Sequence, residues 1–272
     1  MKRIIILSLL LISALCMSNA QNEAAQDTIK QNIKELAGDG EVTGRFIAAY
    51  NNGDFDEAIK ILEKEKDAQK LKGLESADLY YNLGNAYFRN KDIAHAMLNY
   101  ERALLLNPGD RDTKHNIAYA STQIEDKILV ADTFFLTTWV SYIQHSFSAN
   151  TWAVVAVVSF LLLIGFLFLF FFGKSIMIKK TSFYAGIVLI ILVVSANIFT
   201  YRQKQEIEHR TTAIIMVPSV SIKSSPDINS KELFILHSGT KVKITKEDRR
   251  WLEIEISDGN VGWIQRDALE II

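Results

Sequence analysis

The chain has 272 residues, 22% of them charged and 49% hydrophobic, with a formal net charge of −1. By block the charge is +2 over residues 1 to 20, −5 over 21 to 130, +2 over 131 to 201 and 0 over 202 to 272, and the forty-one residues between Asp132 and Lys174 carry no Asp, Glu, Lys or Arg. No block is basic enough for a nucleic-acid footprint, three prolines and thirteen glycines exclude a collagen-like or low-complexity chain, and the uncharged stretch argues against a one-domain soluble enzyme.

Lys2 and Arg3 precede the apolar run Ile4 to Leu15, which is too short to span a bilayer and has the charge order of a signal peptide. Ser18-Asn19-Ala20 places small residues before Gln21, which predicts cleavage after residue 20 and leaves 21–37 as a linker. The only cysteine, Cys16, lies in this leader. A lipobox would make it a lipid anchor, but bulky Leu15 stands where a small residue is wanted. With cleavage the mature chain has no thiol, hence no disulfide and no cysteine-based catalysis or metal site.

Residues 38 to 122, within a repeat domain expected over 38–130, carry a period near 34. In Ala77 to Asp110, with Ala77 as position 1, Tyr80, Leu83, Gly84, Tyr87, Ala96, Tyr100, Ala103 and Pro108 fall at 4, 7, 8, 11, 20, 24, 27 and 32. At all eight positions the segment resembles the tetratricopeptide repeat. Small Gly84 and Ala96 let two antiparallel helices approach, aromatics fill the gap, and Pro108 stops the second helix. An earlier, weaker copy has its turn at Gly53-Asp54-Phe55, with Ala58 at position 20 and a second helix over Ile59 to Lys72; Asp112 to Ile128 restarts the pattern as a capping helix. About two and a half repeats are expected. The resemblance assigns the concave groove to Asp78, Tyr81, Asn85, Phe88 and Arg89, where Asn85 and Arg89 could hold a peptide backbone or carboxylate and Tyr81 and Phe88 give apolar contact. The alternative is that these side chains only solvate the face or pack on a neighbouring helix. Acidic clusters around Asp54 and Glu63, and His95, read as solvated helix surface.

Residues 131–150 include the uncharged, aromatic-rich stretch TFFLTTWVSYIQHSFS, too polar to span and expected to lie in the membrane interface, with His145 its only titratable group. Trp152 to Phe172 and Ser182 to Tyr201 are each long and apolar enough to cross a membrane, so 151–173 and 182–201 are predicted transmembrane helices joined by a turn at 174–181. Lys174, Lys179 and Lys180 in that turn point to the cytoplasm, although Arg202, Lys204 and Arg210 beyond the second helix equal their number. The leader breaks the tie and puts both soluble blocks on the same non-cytoplasmic side, which is the periplasmic side in a bacterium. Ser182 with Gly186, and Asn197, could mediate helix contacts; the alternative is that the pair is chance and Asn197 simply reaches interfacial water. No ionisable residue lies in either span, so transport has no candidate residues.

After a linker at 202–211, residues 212–272 change to a period of two, with five or six short Val- and Ile-rich runs from Ala213 to Ile264 and an Asp258-Gly259 hairpin turn. A small closed barrel is expected. Ser221 to Pro226, Ser238-Gly239-Thr240, Trp251-Leu252-Glu253-Ile254 and Gly262-Trp263-Ile264 resemble the bacterial SH3-like domain, with Ser225 in place of its usual glycine. Trp251 and Trp263 are candidates for a recognition surface, against the view that Trp263 is core and Trp251 half-buried packing.

The expected architecture is a multidomain membrane protein: an all-α tetratricopeptide solenoid, a two-helix transmembrane hairpin and a C-terminal all-β SH3-like barrel. In that order, with the TWVSYIQHSFSANTW approach, the modules resemble the BatE-like branch of the Bacteroides aerotolerance (Bat) family. That resemblance implies an inner-membrane subunit working with von Willebrand factor A-type membrane partners and a MoxR-type ATPase, in oxygen tolerance or envelope stress. Gly173-Lys174-Ser175 looks like the tail of a phosphate-binding loop, but its first glycine would fall at Phe168 inside a span. No metal-ligand cluster, nucleophile elbow or His-Glu-x-x-His motif occurs, so no catalytic residue, metal or cofactor is assigned and the chain reads as a non-enzymatic scaffold. A cell-wall tether binding peptidoglycan through the barrel is the alternative.

Overall fold

The computed structural model describes residues 40–128 and 134–272. The expected leader (1–20, with Cys16) and the linker 21–37 lie outside the described residues. Two compact units meet in sequence at Glu75 and Ser76.

The first unit contains α1 (Gly40–Asn51) and α2 (Phe55–Leu71). Between them Gly53 takes the left-handed conformation that lets the chain reverse (φ +79°), and the Asp54 side chain accepts from Glu57 N to cap α2. Tyr50 stacks its edge against Phe55 across this turn, with ring centroids 5.4 Å apart. Ala58, expected at a position that needs a small residue, is fully buried.

The second unit opens with α3 (Ala77–Arg89), capped by the Ser76 hydroxyl on Leu79 N, and α4 (Ile93–Leu106), capped by Asp92 on His95 N. A Cβ on Gly84 would stand 2.5 Å from the Tyr100 ring, so only glycine allows α3 and α4 to approach this closely. The capping helix α5 (Arg111–Ser121) starts on the Asp110 carboxylate, which accepts from Asp112 N and Thr113 N. It stops seven residues short of the expected Ile128. Lys127 Nζ folds back onto the carbonyls of Ser121, Thr122 and Ile124, satisfying the acceptors that a continuing helix would have used.

Then come α6 (Phe135–Gln144), α7 (Ala149–Phe172) and α8 (Ile176–Glu208). Both α7 and α8 are long and apolar enough to cross a membrane, with mean hydropathy 3.0 and 2.3 over their most apolar windows. They pack on each other through small residues: Ala156 and Ser159 of α7, and Ser182, Gly186 and Ala196 of α8, are buried. Asn197 instead donates to Val193 O within its own helix. Only Gly173 to Ser175 interrupts the helices, so the expected turn 174–181 is mostly helical, and residues 202–208, expected as linker, extend α8. The extension consists of good helix formers and has no proline. Gln203 anchors it, donating to the carbonyls of Gln144 (2.5 Å) and Phe147 (2.9 Å). Trp152 Nε1 donates to the same Gln144 carbonyl, tying α6 to both long helices.

The barrel comprises β1 (Thr212–Ile215), β2 (Ser219–Lys223), β3 (Glu232–His237), β4 (Lys241–Asp248), β5 (Trp251–Glu255), β6 (Val261–Gln265) and β7 (Leu269–Ile271), antiparallel in the order β3-β2-β6-β5-β4-β1-β7. The expected five or six strands become seven because β7, three residues after a 3-10 turn, is too short for a two-residue period to announce. Register shifts at Ile222/Lys223 and Ile244/Lys246 bend the sheet around a core of Ile222, Val242, Leu252, Ile254 and Ile264.

Candidate functional site

The groove positions assigned to α3 fall along one side of that helix, and α5 lies beside them. Asn116 Nδ2 donates to Asn85 Oδ1 at 2.8 Å, and Tyr100 OH donates to the same oxygen at 2.8 Å. The Asn85 carbonyl therefore cross-links three helices of the repeat. Tyr81 is half-buried against Tyr100, its hydroxyl 3.4 Å from Asn116 Nδ2. Phe88 packs on Tyr119 of α5, centroids 5.5 Å apart. Asp78 and Arg89 are exposed.

Counting one repeat of 34 residues onward from Asp78, Tyr81, Asn85, Phe88 and Arg89 lands on Asp112, His115, Tyr119, Thr122 and Gln123, all exposed. These residues of α5 and of the turn that follows it were not assigned from the sequence, although the same offset that identified α5 would have named them. With Arg89 they make an exposed surface with cationic, hydrogen-bonding and aromatic groups on α3, α5 and the turn after α5, suited to an extended peptide or a helix end.

On the barrel, strand alternation sends Leu252 and Ile254 inward, and Trp251 outward with Glu253 and Glu255. In β6, Gly262 and Ile264 point inward and Trp263 outward. Trp251 pairs with Gln265 and Trp263 with Glu253, so the two indoles are diagonal neighbours on one outer face, each half-buried. Trp263 is therefore outside the core. Lys223 lies on its other side, opposite it in β2. The charges around the indoles are locally matched: Lys246 reaches Glu253 at 2.9 Å, and Lys223 reaches Glu232 at 3.1 Å. Those partners hold the Glu253 and Glu232 carboxyls below their usual range.

The opposite side of the barrel is joined to the repeat. Ile214 and Ile272, both buried, share one core with Met97, Leu98 and Tyr100 of α4 and with Ala120 and Ile124. Polar clasps surround it. Buried Glu101 accepts from Lys241 at 2.6 Å, and Arg102 donates to Glu270 (2.9 Å) and to the Ile271 carbonyl (2.8 Å). The Asp126 carboxylate accepts from His237 N and Thr240 Oγ1 and lies 2.7 Å from His237 Nδ1. Burial pushes the Asp126 carboxyl up, but the bonds from His237 and Thr240 outweigh it and leave it below the ordinary carboxylate range; the same carboxylate raises His237. Glu101 and Lys241 are 140 residues apart, and nothing in the sequence linked them.

Among the described residues no group of three or more His, Cys, Asp or Glu is arranged to hold a metal ion. Residues 77–110 match the family model of the tetratricopeptide repeat, and residues 218–270 match that of the bacterial SH3 domain. No curated protein matches the chain.

Proposed function

We propose that this protein is a two-pass inner-membrane scaffold, without chemistry of its own, whose repeat and SH3-like barrel stand on the periplasmic side and hold protein partners. The observation that carries this reading is the exposed array on α3 and α5: Arg89, His115 and Tyr119 sit on a body that shares a core with the barrel and is followed by two helices long enough to span a membrane. The resemblance to the Bat family makes von Willebrand factor A-type membrane proteins, acting with a MoxR-type ATPase, the expected partners in an aerotolerance or envelope-stress complex. A photo-crosslinking residue in place of Tyr119, in the full chain in native membranes, should capture a membrane protein of that class, and Arg89→Glu should abolish capture. Unchanged capture in Arg89→Glu would remove the groove from the reading.

The diagonal pair Trp251 and Trp263 favours one competing function, a cell-wall tether, because aromatic faces also stack on sugars. Cosedimentation of the full chain in detergent with purified sacculi separates the two: the scaffold predicts no binding that depends on Trp251 or Trp263. A phosphatase fused after Ile272 should be active outside the cytoplasm, and an inactive fusion would refute the proposed sidedness.

A further inference from the structure

Beyond the groove and the indole face, a cleft of about 520 Å³ lies between α6 and the extension of α8 beyond Tyr201, a volume within the range of ligand sites. Its α6 wall is apolar at Phe134, Leu136 and Val140, and its α8 wall presents Arg202 and Glu206. The walls are held in place: Gln203 donates to the carbonyls of Gln144 and Phe147, fixing the end of α6 against α8. Glu206 is already occupied, accepting from Gln144 Nε2 at 3.1 Å and pairing with His145 Nε2 at 3.1 Å, which raises the His145 pKa. Arg202 has no ion pair or hydrogen bond among the described residues. The cleft therefore presents one guanidinium without a direct partner beside an apolar wall.

Its height narrows the ligand. Arg202 follows directly on Tyr201, the last residue of the apolar run, and α6 beside it exposes Phe135, Trp139 and Tyr142. Tyrosine and tryptophan gather at headgroup level, so in a bilayer the guanidinium would meet the phosphate plane with the apolar wall against the upper acyl chain. We propose that this cleft is a binding site for a single glycerophospholipid, its phosphodiester held by Arg202 and its chain by Leu136 and Val140. A planar guanidinium matches phosphate oxygens in bidentate geometry. The inference rests on the reading of α7 and α8 as a membrane hairpin.

The test uses the full chain extracted from membranes in mild detergent and examined by native mass spectrometry for retained phospholipid, followed by titration with phosphatidylglycerol and phosphatidylethanolamine in detergent. Wild type should retain a phospholipid, Arg202→Gln should weaken retention about tenfold, and Lys204→Gln, two residues along the same helix and paired with Glu208, should leave it unchanged. Equal retention in Arg202→Gln, equal loss in Lys204→Gln, or displacement of the lipid by inorganic phosphate at matched concentration would overturn the site. Carbonate extraction of wild type separates the two readings. Release from the membrane would overturn the hairpin and the lipid site together, whereas an integral protein that retains no phospholipid would overturn the lipid site alone.

Discussion

The two sides of the small barrel have opposite fates. On one side Ile214 and Ile272 disappear into a core shared with α4, and Glu101, Arg102 and Asp126 of the repeat clasp the surrounding polar groups. On the other, Trp251 and Trp263 stay half-buried among ion pairs that lie on the surface. Both sides come from the same two-residue alternation. The SH3-like domain thus braces the repeat on one face, and the face that carries the two indoles is left open.

Ile214 carries the largest expected effect. Ile214→Asp buries a carboxylate without a partner and should cost about 3–5 kcal/mol, read as a lowered thermal midpoint of the full chain in detergent. Gly84→Ala acts at one remove. Its Cβ would press on the Tyr100 ring, which belongs to the shared core, and overpacking of this kind costs about 1–3 kcal/mol. Lys241→Ala leaves the buried Glu101 carboxylate without its cation; because Lys241 is itself partly exposed, about 1–2 kcal/mol is expected, and adding Glu101→Gln should recover part of it.

The Asp126–His237 clasp makes the braced side depend on pH. Asp126, with its folded pKa lowered, adds stability above its ordinary 3.8 and loses it as the pH falls through the lower folded value. His237, with its folded pKa raised, contributes fully below 6.5 and loses that contribution as the pH rises through the raised value. The thermal midpoint should therefore fall as the pH rises from 6.5, and His237→Asn should flatten that slope. Some slope should remain, because Glu206 raises His145 in the same direction. The smallest effect belongs to the open side: Trp263→Phe should change stability by less than about 1 kcal/mol. A larger loss, measured by the same melt, would mean that this face is packing and not a surface for recognition.

Much of this architecture could be read locally. Gly84, Ala96, Tyr100 and Pro108 announce the repeat because each solves a local problem of helix approach or termination, and those solutions recur at one spacing. Apolar runs announce the hairpin by length, and alternation announces most strands. Less of the candidate site was legible. Asn85 was assigned to the groove, but its carbonyl bonds Tyr100 and Asn116, since a side chain with both donors and acceptors can serve two faces at once. Residues 202–208 were expected as a linker because apolarity stops at Tyr201, but helix propensity and the Gln203 anchor carry α8 further.

The order and kind of the modules follow from local sequence, because periodicity and span length are properties of neighbouring residues. Tertiary structure alone decided which face of the barrel meets the repeat, that Glu101 finds Lys241, and that α6 and α8 enclose a cleft around Arg202. The physical reason is that a pattern records where a segment must be buried and not what buries it. That choice depends on shape and charge complementarity between surfaces far apart in the chain.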